Sequence, residues 1–481
     1  MADTPVDTSA DQLDSKSATI PTPTPKPEKF DVEDSIEVTV KSGKKLSPLV
    51  KTLLVLLVIA VVATVVTVPS VLLTRSTSKP STVPEETTSS DISSTIVVTS
   101  TVVEATSGTA STAAEATSDA ASTAIETTLD AATTITTTVI EPVGWLNTGN
   151  MNTARYRHTA SVLTNRKVLV TGGENVSSVF NSTELYDSSI GTWTIASTMN
   201  NARRDHTASV LLNGKVLVTG GYNGTFDLDS AELYDPTTGA WTITGSMSDA
   251  RYSHTASVLK NGQVLVTGGY NGTFDLDSAE LYDPTAGTWT ITGSMNNARY
   301  DHTACVLNNG QVLVIGGYNG SFTLNSAEIY DPLTGYWTDT SSMNTTRRWH
   351  TASILANGAV LVAGGSNGSS YLNSAEFYDA SNETWTRTGS MISAQYNRKA
   401  SVLTNGKVLV TGGLGVTDTT NSAELYDPLS ESWTPTDNMN NARFWHTASI
   451  LTNGKVLVTG GYFLRALSSS EVYYPSQTDE Q

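Results

Sequence analysis

The sequence repeats itself every 48 residues over most of its length. Pairs of adjacent glycines and single tryptophans both recur at this interval. The pairs are Gly172-Gly173, Gly220-Gly221, Gly268-Gly269, Gly316-Gly317, Gly364-Gly365, Gly412-Gly413 and Gly460-Gly461, and the tryptophans are Trp145, Trp193, Trp241, Trp289, Trp337, Trp385 and Trp433. A fixed period of about 50 residues is typical of repeat architectures, in which each small unit packs against its neighbours.

Within one period the sequence predicts four short strands. Residues 206–211 and 215–219 are rich in β-branched and apolar side chains, and Asn213-Gly214 between them favours a two-residue hairpin turn. A third run, residues 231–234, ends in a turn that contains Asp, Pro and Gly, and Trp241 opens a fourth strand. Because no repeat shows a sustained helical period, each one is expected to form a four-stranded antiparallel sheet.

Seven such sheets around an axis make an all-β, seven-bladed β-propeller. The three inner strands occur seven times, but the tryptophan strand starts early, at Trp145. We therefore expect the last blade to be built from both ends of the domain, with residues 145–149 beside residues 470–474. This closure would remove an open sheet edge.

The repeat resembles the kelch motif, in which a glycine pair is followed by a tyrosine and, after six intervening residues, by a tryptophan. The matching pairs are Tyr186 and Trp193, Tyr234 and Trp241, Tyr282 and Trp289, Tyr330 and Trp337, Tyr378 and Trp385, and Tyr426 and Trp433. Tyr473 has no tryptophan after it, as the closure requires. The resemblance covers residues 142–475 and implies a kelch-type propeller. Most kelch propellers bind proteins, whereas galactose oxidase is an enzymatic relative.

The chain before the repeats divides into three segments. Residues 1–51 are polar and proline-containing, so we expect a disordered cytoplasmic tail. Residues 52–73 contain no charge, and as a helix they would span about 33 Å, enough to cross a bilayer. A cleaved signal peptide is the alternative, but this segment is longer and begins far from the N-terminus. Residues 74–141 are rich in Ser and Thr, which predicts a disordered stalk, O-glycosylated or merely flexible.

Lysines are more frequent before the apolar segment than after it. Lys41, Lys44, Lys45 and Lys51 precede it, against Arg75 and Lys79 that follow. The positive-inside rule then places the N-terminus in the cytoplasm. We expect a type II single-pass protein with a signal anchor in the plasma membrane or another secretory-pathway membrane. Its propeller would be extracellular or lumenal, followed by a short tail at residues 476–481.

Charge and cysteine content narrow the classes of function. The net charge of −18 is spread along the chain without a basic patch, which argues against nucleic-acid binding. Cys305, the single cysteine, falls where other repeats have Ser161, Ser209 and Ser257. We expect it to fill a small core position on an inner strand, and seven blades bury enough core to fold without disulfides.

Three polar residues recur once per blade. They are His158, His206, His254, His302, His350 and His446; Arg155, Arg203, Arg251, Arg299, Arg347 and Arg443; and Glu184, Glu232, Glu280, Glu328, Glu376, Glu424 and Glu471. Six histidines invite a metal reading, but residues related by rotation need not converge on one ion. We expect each His to bond its own loop, and each Arg to form an ion pair with Glu or to hold loop carbonyls. Blade six has Gln395 and Arg398 instead, and Arg398 is expected to refill the space.

A copper oxidase like galactose oxidase is the competing class of function. That site needs a tyrosine cross-linked to a cysteine, a second tyrosine and two histidines, one of them from a further domain. Cys305 lies on a framework position, and no catalytic triad, phosphate loop or cysteine knuckle is present. We expect neither enzymatic activity nor a metal or other cofactor. Bound copper, or hydrogen peroxide made from sugars, would contradict this.

Eight N-glycosylation sequons occur in the repeats. They start at Asn175, Asn181, Asn223, Asn271, Asn319, Asn344, Asn367 and Asn382. Since the propeller is rich in Asn, Ser and Thr, their number alone decides nothing. Asn223, Asn271, Asn319 and Asn367 each precede a glycine and have an alternative role in turns.

Binding residues are expected where the repeats differ. Two variable residues lie between the framework Arg and His positions of each blade, in the loops leading into the innermost strands. They are Tyr156-Arg157, Arg204-Asp205, Tyr252-Ser253, Tyr300-Asp301, Arg348-Trp349, Tyr396-Asn397 and Phe444-Trp445. Tyr, Trp and Arg dominate binding hot spots. We therefore predict a non-enzymatic module that binds a protein or glycan ligand at the central mouth, although Trp349 and Trp445 could instead pack between blades.

Overall fold

The computed structural model describes residues 98–101, 136–139, 142–416 and 418–476. The predicted tail at 1–51 and the predicted anchor at 52–73 lie outside these ranges, as does most of the predicted stalk. Among the described residues, no helix has the length and apolar character needed to cross a membrane.

The described part of the chain from residue 142 onward forms seven four-stranded antiparallel sheets. The strands of the chain, in order, are β1 Val98–Thr101, β2 Thr136–Val139, β3 Gly144–Asn147, β4 Thr159–Val162, β5 Lys167–Thr171, β6 Thr183–Asp187, β7 Thr192–Ile195, β8 Thr207–Val210, β9 Val216–Thr219, β10 Ala231–Asp235, β11 Ala240–Ile243, β12 Thr255–Val258, β13 Val264–Thr267, β14 Ala279–Asp283, β15 Thr288–Ile291, β16 Thr303–Val306, β17 Val312–Ile315, β18 Ala327–Asp331, β19 Tyr336–Thr340, β20 Thr351–Ile354, β21 Val360–Ala363, β22 Ala375–Asp379, β23 Thr384–Thr388, β24 Lys399–Val402, β25 Val408–Thr411, β26 Ala423–Asp427, β27 Ser432–Pro435, β28 Thr447–Ile450, β29 Val456–Thr459, β30 Tyr462–Phe463, β31 Arg465–Ala466 and β32 Ser470–Tyr474. Blades 1 to 6 are β4–β7, β8–β11, β12–β15, β16–β19, β20–β23 and β24–β27, and blade 7 joins β28, β29 and β32 to β3. The predicted seven-bladed all-β propeller is confirmed.

Blade 2 shows how the repeated residues build each sheet. In β9, Val216, Leu217 and Val218 are at most 1% exposed, because neighbouring blades cover both faces of the sheet. Tyr234 of β10 lies opposite Trp241 of β11, with ring centroids 5.2 Å apart. The tyrosine and tryptophan of the sequence motif are therefore a cross-strand aromatic pair.

The hydrophobic core lies between blades. Leu211, Leu217 and Met247 of blade 2 pack against Val264 and Tyr282 of blade 3, and equivalent clusters occupy the other gaps. The innermost strands also touch in succession around the ring, and β28 closes it against β4. Since each sheet is buried only by its neighbours, the ring must close for every blade to be covered.

The closing strand lies where the sequence predicts it. In blade 7, β3 pairs antiparallel with β32, and Trp145 lies opposite Tyr473. Gly149 then connects this strand to blade 1 with two hydrogen bonds. Its backbone N–H donates to Gly191 O (3.0 Å), and its carbonyl oxygen accepts from Trp193 Nε1 (2.8 Å).

The first hairpin of each blade differs from the expected two-residue turn. In blade 2 the backbone N–H of Leu211 donates to Lys215 O, and that of Gly214 donates to Leu211 O, so three residues form the loop. Only Gly214 has positive φ, at 81°. Asn213 instead accepts the backbone N–H of Lys215 on Oδ1, at 3.0 Å. The Asn-Gly pair thus forms a three-residue hairpin with glycine in the left-handed position.

Two short ladders do not belong to the seven four-stranded sheets. Strands β1 and β2 pair within the segment for which the sequence predicts a disordered stalk, so that prediction is wrong for these eight residues. Both strands consist mostly of Thr and Val, whose β-branched side chains favour extended backbone. Strands β30 and β31 form a small hairpin in blade 7.

Candidate functional site

A completely buried arginine anchors the loop before the innermost strand in every blade but the sixth. Arg203 Nη1 donates to the carbonyl oxygens of Gly220 (2.7 Å) and Ser230 (3.1 Å), while Nη2 donates to Glu232 Oε1 (2.9 Å). Equivalent Arg–Glu pairs join Arg155 to Glu184, Arg251 to Glu280, Arg299 to Glu328, Arg347 to Glu376 and Arg443 to Glu471. Both parts of the prediction, an ion pair and a hold on loop carbonyls, are confirmed.

The glutamate of this pair also fixes the loop behind it. Glu232 accepts the backbone N–H groups of Asn200 (2.7 Å) and Asn201 (3.0 Å). Burial alone would raise the pKa of Glu232, but these hydrogen bonds and the charge of Arg203 lower it below its ordinary value. The carboxylate is therefore ionised, with its oxygens occupied, and it holds the loops that carry the variable residues.

In blade six, Arg398 and Gln395 take over the role of the buried arginine in holding the loop and contacting the glutamate. Arg398 reaches back so that Nε donates to Gly412 O (3.0 Å) and Nη2 donates to Glu424 Oε1 (3.4 Å). Gln395, at the usual arginine position, contacts the hydroxyl of Ser422 (3.2 Å). Arg398 thus refills the space as predicted, although its contact with the glutamate is longer than the 2.6–3.0 Å of the other blades.

The histidines form side-chain hydrogen bonds to the adjacent blade, a contact that the prediction of bonding within their own loops did not include. His206 Nε2 of blade 2 lies 3.0 Å from Thr159 Oγ1 and 3.1 Å from Thr171 Oγ1 of blade 1. His158 in turn contacts Thr447 and Thr459 of blade 7. Burial, and next the charge of Arg203, lower the pKa of His206 well below its ordinary value, so the imidazole is neutral at pH 7. Because the two threonine partners belong to the preceding blade, the spacing within one repeat does not predict these contacts.

The residues considered for copper do not come together. Within the described ranges, no group of three or more His, Cys, Asp or Glu residues is placed to hold a metal ion. Cys305 is a free, buried thiol on β16, and burial raises its pKa to about 12. It packs with Leu313 and Ile315, which confirms its prediction as a core residue.

The variable pairs divide into two groups. The second residue of each pair has positive φ, between 50° and 55°. The backbone N–H of Asp205 donates to Arg157 O, that of Ser253 donates to Asp205 O, and the pattern continues through Asp301, Trp349 and Asn397. Arg157 itself donates to Trp445 O (3.1 Å). Six such backbone hydrogen bonds link the seven second residues from blade to blade, and we call these seven residues the mouth ring.

Stacked cations and aromatic residues dominate one side of the mouth ring. Arg157 lies 3.9 Å from the ring centroid of Trp445, and Arg348 lies 3.9 Å from that of Trp349. Trp349 also packs against Tyr396 of the next blade, at 5.2 Å, and Trp445 stacks on Tyr156, at 5.6 Å. Both tryptophans are only partly buried. They pack between blades, as the alternative interpretation expected, and each remains partly exposed.

Acidic and basic groups also meet along the mouth ring. Asp205 contacts Arg204 (2.7 Å) and Arg157 (3.4 Å). Asp301 lies next to Ser253, and burial, with the nearby charge of Asp205, raises the pKa of Asp301 to about 7. Lys399, which is exposed, replaces the threonine found at this position of the other inner strands. The sequence analysis missed Lys399, although its departure from six threonines was a visible signal.

The first residue of each pair is held through its backbone to the loop that follows the glycine pair. Each makes an isolated backbone bridge with the residue after the glycine pair, as in Arg204 with Tyr222 and Tyr252 with Tyr270. Tyr222, Tyr252, Tyr270, Tyr300 and Tyr318 then follow one another across blades 2 to 4, with neighbouring ring centroids 5.6–6.2 Å apart. We call these five residues the tyrosine arc. Tyr222, Tyr270 and Tyr318 were missed, although the position after the glycine pair also varies between repeats.

The close approach of these loops explains the glycine pairs. Gly220 and Gly221 have φ of 60° and 96°. A Cβ on Gly220 would lie 2.5 Å from Arg251 O, and one on Gly221 would lie 2.7 Å from Arg204 O. Any other residue at these positions would push apart the loops that present the variable pairs.

The sequons differ in whether the side-chain nitrogen is engaged. Asn181 Nδ2 donates to Met199 O (3.0 Å), and Asn344 Nδ2 donates to Glu376 Oε2 (2.8 Å). Asn223, Asn271, Asn319 and Asn367 use Oδ1 to accept backbone N–H groups of their own turns. The turn role expected of these four is confirmed, and it leaves Nδ2, the atom that glycosylation modifies, without a bond to another described residue.

Sequence comparison matches the chain to one family model. The model is described as the KLHDC2/KLHL20/DRC7 Kelch-repeats domain, and it matches residues 134–295 and 290–461. A search of curated proteins gives no match.

Structure comparison gives matches among solved structures. A fungal alcohol oxidase of the AA5 family, in complex with copper, has 19% identity and a TM-score of 0.60, over 69% of this chain and 77% of that one. A structure of YjhT has 16% identity and a TM-score of 0.49, over 60% of this chain and 99% of that one. At 19% identity, the likeness to the oxidase concerns the fold alone.

Proposed function

The chain belongs to the Kelch-repeat domain family, and on this premise we propose that its propeller is a recognition module that binds a protein or a glycan. The main support for the proposal is that the residues holding the loops repeat from blade to blade, whereas the residues that the loops present do not. The buried Arg–Glu pairs repeat around the ring, whereas the residues of the mouth ring differ from blade to blade. A rigid frame that presents varied aromatic and charged side chains is the usual form of a binding surface.

The binding residues proposed are those predicted from the sequence. They are Tyr156, Arg157, Arg204, Asp205, Tyr252, Tyr300, Asp301, Arg348, Trp349, Tyr396, Asn397, Phe444 and Trp445. Trp349 and Trp445 are the central anchors, because each combines a partly exposed indole with a stacked arginine.

We propose a binding module rather than an enzyme. The repeated histidines are engaged between blades, and Cys305 is enclosed in the core, so neither supplies a reactive group at the mouth. Copper bound in stoichiometric amount, or hydrogen peroxide produced from sugars, would contradict this and would favour the oxidase alternative.

We further propose that the propeller is tethered to a membrane through residues 52–73, with the N-terminus in the cytoplasm and the propeller extracellular or lumenal. The uncharged segment and the lysines before it support this topology. In intact cells, a tag before Thr52 should resist added protease, while a tag after Gln481 should be cleaved. An accessible N-terminal tag would reverse the topology, and an unchanged mobility after endoglycosidase treatment would argue against N-glycans at the sequons.

The binding proposal is tested with purified full-length protein against panels of proteins and glycans. For the ligand found, Trp349→Ala and Trp445→Ala should each weaken binding by about 2 kcal/mol or more. Tyr336→Ala is the control, because Tyr336 is 72% exposed on an outer strand. If both tryptophan variants bind fully while changes on the other face, around Asn382, abolish binding, the mouth is not the binding surface.

A further inference from the structure

A cavity of about 640 Å³ opens between blades 2 and 3, outside the mouth ring. The loop between β9 and β10 supplies Tyr222, Phe226 and Asp227 to its wall, and the next blade supplies Tyr252, Tyr270 and Asn271. Three tyrosines of the tyrosine arc therefore line one cavity together with a carboxylate and an amide. This composition, aromatic walls with a few fixed polar groups, is that of a small-ligand site.

The aromatic walls are held in place. Tyr222 lies 6.2 Å from Tyr252 and Tyr252 lies 5.7 Å from Tyr270, measured between ring centroids. Arg204 covers Tyr222 at 5.0 Å and is fixed by ion pairs with Glu174 (3.2 Å) and Asp205 (2.7 Å). Phe226, which is 68% exposed, forms the outer rim.

Asp227 supplies an acceptor that the described protein leaves unused. Its side chain makes no hydrogen bond or ion pair with another described residue, and its Oδ2 lies 2.5 Å from the point that a Cβ on Gly272 would occupy. Burial raises the pKa of Asp227, although the nearby charge of Arg204 opposes this shift. A partly buried carboxylate without partners is satisfied when a ligand brings hydrogen-bond donors to it.

The next gap repeats the same set of residues. Between blades 3 and 4, Asp275 lies against Gly320 just as Asp227 lies against Gly272, and Tyr270, Tyr300 and Tyr318 form the aromatic wall. The following gap lacks it, because Thr323, Ser366 and Arg348 stand at the positions of Asp275, Tyr318 and Tyr300. Two adjacent copies of one set suit a ligand that is itself built from repeated units.

Two classes of ligand fit aromatic walls beside a carboxylate. One is a sugar, and the other is a cationic side chain. A pyranose ring presents apolar C–H faces to aromatic rings and hydroxyl donors to a carboxylate or amide. A cationic ligand would meet the fixed positive charge of Arg204 in the wall of the first cavity, which disfavours it there. We propose that these two gaps bind successive sugar units of a neutral glycan chain. The inference rests on the proposed recognition function and assigns a ligand class to the tyrosine arc.

The test uses the full-length protein made in bacteria, so that Asn271 on the cavity wall carries no glycan. The probes are neutral mannan, β-glucan and galactan hexasaccharides with their monosaccharides, and a lysine-rich peptide. We expect a hexasaccharide of at least one series to bind ten or more times more tightly than its monosaccharide. Tyr222→Ala and Asp227→Asn should each weaken that binding at least tenfold.

Matched variants separate this site from the mouth. Tyr336→Ala and Asp229→Asn, at exposed positions outside the cavity lining, should bind the hexasaccharide like the unmodified protein. Asp275→Asn should reduce the advantage of the hexasaccharide over the monosaccharide. Loss of binding in Trp349→Ala with full binding in Tyr222→Ala would place the glycan at the mouth and overturn this inference alone. It is equally overturned if no neutral hexasaccharide binds at millimolar concentration, or if only the peptide binds.

Discussion

Trp145 and Tyr473, from opposite ends of the propeller sequence, lie opposite each other in one antiparallel ladder, with ring centroids 5.1 Å apart and ring planes tilted by 46°. Trp145 is 8% exposed and packs with Leu403, Leu409 and Met439 of blade 6. The residue that follows this strand reaches blade 1, because the hydroxyls of Thr148 and Tyr186 are hydrogen-bonded at 2.8 Å. This short strand and the residue after it therefore complete blade 7 and contact both of its neighbours.

Replacing Trp145 should destabilise the whole propeller. Trp145→Ala removes a buried indole from between two blades, so we expect the free energy of unfolding to fall by about 3–5 kcal/mol. Deleting residues 142–149 should lower it further by exposing a sheet edge. Urea denaturation measures both. As a control, deleting residues 76–138 should leave the melting temperature unchanged, and equal melting temperatures for all three variants would refute the closure.

The blades could be read from the sequence because every residue that builds them recurs. Tyr234 and Trp241 mark the outer strand pair, and Gly220-Gly221 mark the tight loop. Contacts between blades were not readable in this way. His206 finds its threonines on the previous blade, and Tyr222 meets Tyr252 across a gap, so neither contact follows from spacing within one repeat. The tyrosine arc forms where neighbouring sheets pack together, so it is seen in the structure and not in the spacing of one repeat.

The buried histidines should make the propeller acid-sensitive. Burial, and next the charge of Arg299, lower the pKa of His302 to about 3, against about 6.5 in the unfolded chain. Between these values the unfolded state binds one more proton, so stability falls as the pH falls below about 6.5, by about 1.4 kcal/mol per pH unit for this residue.

His302→Gln isolates this effect. The amide can still reach the hydroxyl of Thr255, which lies 3.0 Å from His302 Nε2, but it takes up no proton. Chemical denaturation between pH 7.5 and 4.5 should show a shallower loss of stability for the variant than for the unmodified protein. Parallel curves would mean that His302 titrates normally in the folded state.

Asp301 should have the opposite effect to His302, because its contribution to stability decreases as the pH rises. Burial, followed by the charge of Asp205, raises its pKa to about 7, against about 3.9 in the unfolded chain, despite the hydrogen bond from Ser253 and the charges of Arg348 and Arg157. Here the folded state binds the extra proton, so this residue's contribution to stability is complete below about pH 4 and is lost as the pH rises to about 7. Asp301→Asn should therefore gain stability relative to the unmodified protein as the pH rises from 4 to 7. Asp229→Asn, at an exposed position, is the charge-matched control, and an equal gain in both variants would contradict the assignment.

In blade six, Gln395→Arg and Arg398→His together should be tolerated better than either change alone. Arg398→His alone would leave the buried carboxylate of Glu424 without a cation, which costs about 3–5 kcal/mol. Gln395→Arg alone would place a second guanidinium beside the one that Arg398 already directs at Glu424, so it should also destabilise the fold. The double variant restores the arrangement of the other blades, and its imidazole would find the hydroxyl of Thr351, as His350 finds that of Thr303 at 2.8 Å. We expect its free energy of unfolding to lie within about 1 kcal/mol of the unmodified protein, whereas simple addition of the two single losses would show that the two positions are independent.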